Sequence, residues 1–399
     1  RMEHKTRIKG NVHYVGVNDR NKHRFEGMWP LPYGVSYNSY LIDDEMVALV
    51  DTVDICYFEV YLRKIKQVIG ERPINYLIIN HMEPDHSGSI RLIKQHYPEI
   101  IIVGNKQTFG MIEGFYGVTG EQYLVKEGDF LALGHHKLRF YMTPMVHWPE
   151  TMMTFDETDG VLFSGDGFGC FGTVDGGFLD TRINVDKYWG EMVRYYSNIV
   201  GKYGSPVQKA LQKLGGLPIS AICSTHGPVW TENIAKVIGI YDRLSRYDAD
   251  EGVVIAYGSM YGNTEQMAEA IAEELSAQGV KNIVMHNVTK SHPSYIIADI
   301  FRYKGLIIGS PTYSNQIFPE VEALLSKILL REVKGRYLGY FGSFTWAGAA
   351  VKRLAEFAEK SKFELVGDPV EMKQAMKDLT YTQCENLARA MADRLKKDR

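Results

Sequence analysis

Apolar positions fall into two rhythms along this chain. Up to about residue 235 short β-rich runs dominate: NVHYVGV, SYNSYLI, MVALVDT, INYLIIN, EIIIVG, KLRFYM, GVLFSG and ISAICS. SYNSYLI and MVALVDT read as a hairpin around Asp43, Asp44 and Glu45. Helical spacing lies between the runs, in YFEVYLRKIKQVIG and VDKYWGEMVRYYSNIVGKYG. From Gly252 the rhythm becomes a strict alternation. The short strands VVIAY, NIVMH, GLIIGS and YLGYFGS are separated by TEQMAEAIAEELSAQG, FPEVEALLSKILL and AGAAVKRLAEFAEK, the pattern of a parallel, doubly wound sheet. The polar segment YDRLSRYDADEG, residues 241–252, predicts the boundary and gives domains over 1–249 and 250–399.

Length agrees with two units, since 399 residues exceed one typical domain. The net charge of -3, with 23% charged and 45% hydrophobic residues, describes a globular chain and offers no electrostatic case for nucleic acid. No run approaches the roughly 18 apolar residues of a membrane span, and the start RMEHKTRIKGN lacks the apolar core of a signal peptide. The expectation is a cytoplasmic protein that meets no membrane. Cys56, Cys170, Cys223 and Cys384 form no CxxC pair, so they read as reduced core thiols, and a fused rubredoxin-type iron site is excluded.

The histidines are more informative. LIINHMEPDHSGS sets His81, Glu83, Asp85 and His86 on a turn directly after a buried strand. One such histidine would be an ordinary hydrogen-bonded residue. Three more ligand types follow apolar strands: His147 after KLRFYMTPMV, Asp166 after GVLFSG and His226 after ISAICST. If strands of one sheet deliver their C-terminal ends to a common edge, these seven residues meet. Four imidazoles and three carboxylates suffice for two metals sharing a bridging carboxylate, and their softness suits iron, manganese or zinc.

HMEPDH followed by His147, Asp166 and His226 resembles the metallo-β-lactamase superfamily, with one departure. The hydrolytic members carry histidine at the second position of HxHxDH, where this chain has Glu83. That exchange is similar to the flavodiiron proteins, or A-type flavoproteins. An added anionic oxygen ligand stabilises a higher oxidation state of iron and turns preference away from zinc. The resemblance implies one iron on His81, Glu83 and His147, a second on Asp85, His86 and His226, and Asp166 between them. In some relatives the histidine matching His86 does not bind metal.

A second constellation opens the C-terminal region. AYGSMYGNTEQ offers Gly258, Ser259, Met260, Tyr261, Gly262, Asn263 and Thr264 at a helix N-terminus, where backbone NH groups and the helix dipole favour a phosphate. It has neither a Walker lysine nor a GxGxxG pattern. Taken alone it could be a helix cap, but SMYGNT resembles the flavodoxin phosphate loop, and two further loops follow strands. SPTYSNQIFP contributes Pro311, Thr312, Tyr313, Ser314, Asn315 and Gln316; SFTWAGAA contributes Ser343, Phe344, Thr345, Trp346, Ala347 and Gly348. Tyr313 and Trp346 are either core residues or flavin-ring contacts. A monophosphate loop without an adenylate companion points to FMN over FAD.

The resemblance spans essentially the whole chain in the family's domain order. It implies an α/β protein with an N-terminal metallo-β-lactamase-like αββα domain and a C-terminal flavodoxin-like domain. It further implies electron flow from rubredoxin or another reductant through FMN to two irons that reduce O2 to water or NO to N2O. A head-to-tail homodimer would bring the FMN of one subunit to the diiron site of the other. His23 and Tyr195 resemble pocket residues that donate hydrogen bonds to the bound gas, although either could be structural. Two alternatives stay open: a zinc hydrolase fused to a flavodoxin, and a flavodoxin-like electron carrier on an inert scaffold.

Overall fold

The computed structural model describes residues 5–399; the first four residues of the polar start lie outside it. The chain forms two compact units, Arg1–Ser245 and Arg246–Arg399. The first is a two-sheet sandwich. One sheet runs, in spatial order, through Arg7–Lys9, Val12–Tyr14, Tyr40–Ile42, Ala48–Val50, Tyr76–Ile78, Ile101–Gly104 and Gln122–Leu124. Its early strands pair antiparallel and its last four parallel. The other sheet orders Phe130–Ala132, Lys137–Met142, Met152–Asp156, Val161–Phe163 and Ala221–Cys223.

Alternation along these strands builds the core. Val12, Tyr40, Ile42, Val50 and Ile78 from the first sheet meet Leu138, Phe140, Met152, Val161 and Phe163 from the second in one buried cluster. Leu41, Leu49 and Leu77 point the other way and are also fully buried. That is the mark of a sheet with helices on its outer face, and helix Phe58–Ile69 buries Phe58, Tyr61, Ile65 and Ile69.

Three expectations are modified. The helical pattern over 185–204 is not one helix: Asp186–Tyr195 gives way to a π-helical turn, Tyr196–Val200, and a 3-10 turn before a new helix at Gly204. Ser197 Oγ donates to the Val193 carbonyl and Asn198 Nδ2 to that of Arg194, contacts that compete with the regular ladder. Helix Ile234–Ser245 runs into the predicted boundary segment, because Tyr241 is a core residue whose hydroxyl donates to the Gly169 carbonyl. Cys56 is exposed and so is no core thiol; the other three cysteines are buried and all four are free.

The second unit is a parallel sheet ordered Ile283–Asn287, Asp250–Tyr257, Tyr303–Tyr313, Tyr337–Phe344, then Glu364–Leu365 with Val370–Lys373. In chain order that is 2-1-3-4-5, the flavodoxin-like winding. Helices Asn263–Ala277 and Asp378–Lys396 seal one face through Met267, Ile271, Leu387 and Met391, which pack on Val253, Ile255, Ile307 and Phe341. No helix among the described residues is long and apolar enough to cross a membrane.

In the first unit, the turn before Lys137 is tied to the end of strand Met152–Asp156 by His136 Nδ1 and Asp156 Oδ2, 2.9 Å apart with both side chains fully buried. Burial works to lower the His136 pKa, but the Asp156 carboxylate outweighs it and the net shift is upward. The pair therefore stabilises the fold in full below the ordinary histidine pKa of about 6.5, and its contribution is lost as pH rises through the raised folded value. Urea titrations at several pH values should show a wild-type advantage over His136→Gln that shrinks with rising pH. A difference independent of pH would contradict this.

Candidate diiron and flavin sites

Seven buried ligand-type residues converge at one end of the sandwich. His81, Glu83, Asp85 and His86 lie on the turn after Tyr76–Ile78 and on the short helix Pro84–Ser87, so they belong to the first sheet. His147, Asp166 and His226 follow strands Lys137–Met142, Val161–Phe163 and Ala221–Cys223 of the second. The expected single sheet edge is thus corrected: the meeting point is the shared rim of two sheets.

Asp166 organises the cluster. Its Oδ2 lies 3.1 Å from His81 Nε2 and 3.0 Å from His147 Nε2, while Glu83 Oε2 is 3.3 and 3.1 Å from the same two nitrogens. Its Oδ1 lies 2.9 Å from His86 Nε2 and 3.6 Å from His226 Nε2, and Asp85 Oδ2 is 3.2 Å from each of those. His81, Glu83, His147 and Asp166 form one ligand group, and Asp85, His86 and His226 another.

The donors fit metal ions better than they fit one another. Both Asp85 carboxylate oxygens, both His86 ring nitrogens and His226 Nε2 are buried and make no hydrogen bond. Burial of that kind is costly unless a cation supplies the partner. The charges show the same strain. Burial opposes protonation of His147, yet hydrogen bonds to Asp166 and Glu83 hold its pKa up at about 9. His86 also reaches about 9, against burial, through Asp85 and Asp166. Burial would raise Asp166, but His81 and His86 pull it well below the carboxylate range. Protons on His86 and His147 stand where metal ions would stand, so metal binding there must release them.

Tyr195 lies against this pocket, whereas His23 is exposed. Tyr195 is fully buried, its ring centroid 5.6 Å from that of His226, and its hydroxyl makes no hydrogen bond. His23 is exposed in a bend before the small hairpin of Arg24–Phe25 and Trp29–Pro30. The hairpin turn instead delivers Glu26, which sequence reasoning missed. Much of Glu26 meets solvent, but its carboxyl turns onto Glu83 and accepts a hydrogen bond from Trp29 Nε1 at 3.2 Å. Desolvation, then contact with Glu83, pushes its pKa up to about 8. Glu26 follows no strand of the main sheets, so no strand-end signal marked it.

In the second unit, the three predicted loops gather at the C-terminal ends of the strands. Ser259 Oγ accepts from the backbone NH groups of Gly262 and Glu265, shaping the turn into helix Asn263–Ala277, and Gly262 adopts φ +99°. Thr264 Oγ1 lies 2.8 Å from Ser343 Oγ, and Thr312 Oγ1 accepts from the Ala349 and Ala350 NH groups, so the loops brace one another. Ser314 and Asn315, both at positive φ, make the two-residue turn between Tyr313 and Gln316. Tyr313 and Trp346 are 50% and 77% exposed, which removes the core reading of either. The exposed aromatic faces fit a flavin ring, and the hydroxyl-rich turn at a helix N-terminus fits its phosphate.

Comparison with known proteins agrees with both domains. Residues 35–227 match the ODP family beta lactamase and residues 255–386 the flavodoxin family. An anaerobic nitric oxide reductase flavorubredoxin of Vibrio vulnificus is 32% identical over 90% of this chain and 73% of its own length. The chain belongs to the flavodiiron protein family. Among solved structures, the rubredoxin oxygen:oxidoreductase of Desulfovibrio gigas matches with a TM-score of 0.93 at 31% identity, covering 97% of each chain. The flavodiiron protein of Giardia intestinalis matches at 0.92 and 27%, also over 97% of each. As a flavodiiron protein, the chain is an oxidoreductase that uses FMN and a non-haem diiron centre.

Because His86 and His147, without metal, hold protons that ferrous iron must displace, iron loading at neutral pH should release acid, and iron affinity should fall as pH is lowered. A pH-stat titration with ferrous iron measures the release. His147→Ala should release less and hold less iron.

Proposed function

We propose that this flavodiiron protein reduces a diatomic gas, O2 or NO, with electrons from rubredoxin or a similar donor entering through FMN. The observation that carries this reading is Asp166, whose two oxygens face two separate ligand sets. Two metals so bridged can share one small substrate. His81, Glu83 and His147 are the proposed ligands of one iron, and Asp85, His86 and His226 of the other. When bound, the irons supply reversible single-electron chemistry to the gas.

The chain's own residues have distinct tasks. Neutral imidazoles supply donor nitrogens, and the three carboxylates offset the cationic charge and keep it fixed between the sheets. Reduction of O2 to two waters takes four electrons and four protons, and that of two NO to N2O and water takes two of each. Glu26, whose carboxyl adjoins Glu83 and also meets solvent, is placed to carry protons to the pocket, and the Tyr195 hydroxyl offers a hydrogen bond from within. Phe25 and Phe171 pack against the Tyr195 ring and keep that side free of bulk water.

For the flavin, Ser259, Met260, Tyr261, Gly262, Asn263 and Thr264 are the proposed phosphate contacts. Loops 311–316 and 343–348 would flank the ring through Tyr313 and Trp346. A head-to-tail homodimer is proposed as the working assembly, and light scattering of the purified protein tests it.

Gas electrodes decide the substrate. Iron-replete protein supplied with rubredoxin and its reductase should consume O2 without accumulating peroxide, or NO with formation of N2O, and the faster arm names the main activity. Consumption of neither gas would overturn the proposal, and two zincs per chain would favour the hydrolase. Tyr195→Phe and Glu26→Gln should keep their iron yet lose at least about tenfold in turnover of the preferred gas. Unchanged turnover in either variant would remove that residue from the proton path.

A further inference from the structure

Behind the seven proposed ligands stands one buried carboxylate that none of the preceding roles uses. Glu150 is fully buried at the end of the loop that also delivers His147. Its Oε2 lies 3.2 Å from His81 Nδ1 and accepts from the Met82 backbone NH at 2.7 Å, while Oε1 makes no hydrogen bond. Asn105, which caps helix Lys106–Tyr116, donates from Nδ2 to the Glu150 carbonyl at 2.7 Å and pins the loop in place. Trp148 closes the other side, its ring centroid 5.3 Å from His81.

The other three imidazoles are backed differently. His226 Nδ1 faces the Ser36 carbonyl at 2.7 Å, a neutral group, and His86 Nδ1 makes no hydrogen bond. Both carboxylate contacts of His147 are made by Nε2, the nitrogen turned towards the cluster. Of the four ligand imidazoles, only His81 has a described carboxylate on its outer nitrogen. The inner ligands are evenly shared, two imidazoles and one carboxylate to each half with Asp166 between them. The imbalance therefore lies outside them, in Glu150 behind His81.

A carboxylate behind a ligating imidazole fixes its tautomer and orientation and raises its basicity. We infer that Glu150 is a positioning residue for His81 and makes the iron held by His81, Glu83 and His147 the more electron-rich of the two. Were iron bound there, that ion would be the harder of the two to reduce, and the one held by Asp85, His86 and His226 the easier. The inference rests on the diiron reading proposed above.

The test compares wild type, Glu150→Gln and Glu150→Asp, each loaded anaerobically with ferrous iron. Iron per chain, a dye-mediated redox titration and the electron paramagnetic resonance spectrum of the one-electron-reduced form are recorded, with circular dichroism and FMN content reporting the fold. Wild type should hold two irons. The Gln variant, whose carbonyl can still accept from Met82 NH, should also hold two, but with its reduction potential moved to more positive values and an altered mixed-valent spectrum. The Asp variant withdraws the carboxylate, so it should shift the same way and bind iron about 10- to 100-fold more weakly. If the Gln variant does not fold, the Asp variant decides by that shift. A variant with two irons, an unmoved potential and an unchanged spectrum would overturn the role of Glu150. A wild type that binds no iron would instead overturn the diiron reading.

Discussion

A single carboxylate, Asp166, holds the N-terminal unit's chemistry together. It is 1% exposed, and each of its oxygens faces a different set of imidazoles. Burial of so many polar groups without cations is unfavourable, and the surrounding sandwich is what keeps them in place. Ile78, Phe163 and Cys223, the last residues of three strands that lead to the cluster, are buried in the common core. The rim is rigid because the layers beneath it are packed.

Around that centre the two halves divide the work. The N-terminal unit gathers cation ligands where two sheets meet, and the C-terminal unit presents loop amides and exposed aromatics at the ends of parallel strands. Each site obeys the rule of its own architecture. In doubly wound sheets a ligand takes the carboxyl edge and a phosphate takes a helix N-terminus. In the sandwich, loops from both sheets bring charge to a place where neither sheet could hold it alone.

Much of this was legible in the sequence, for definite reasons. His81, Asp166 and His226 each follow an apolar run closely, so strand periodicity fixed their position on an edge. Glu83 stood two residues beyond the first of them and changed the expected metal. Ser259 to Thr264 were legible because a phosphate turn demands small and hydroxyl residues. What escaped was set by tertiary contact. Glu26 sits at the tip of a minor hairpin, at φ +53°, and reaches Glu83 only because the chain folds back. His23 is near it in sequence but on the outside. Glu150 carries no strand-end signal, since its partner lies 69 positions away. The π-helical turn after Tyr195 looked like continuous helix because it keeps the apolar spacing, and its break arises from Ser197 and Asn198 bonding back to the main chain.

The spacing of the ligands along the chain carries a consequence for biosynthesis. They run from His81 to His226, and the last arrives on Ala221–Cys223, an edge strand of the second sheet. A ribosome-bound chain that lacks this strand lacks the second set's final imidazole, so a complete pair of ion-binding pockets arises only after the sandwich has closed. Metallation is then a late event, performed on a sandwich that has already closed. Cells short of iron would accumulate a folded, flavin-ready apoprotein in place of an unfolded one.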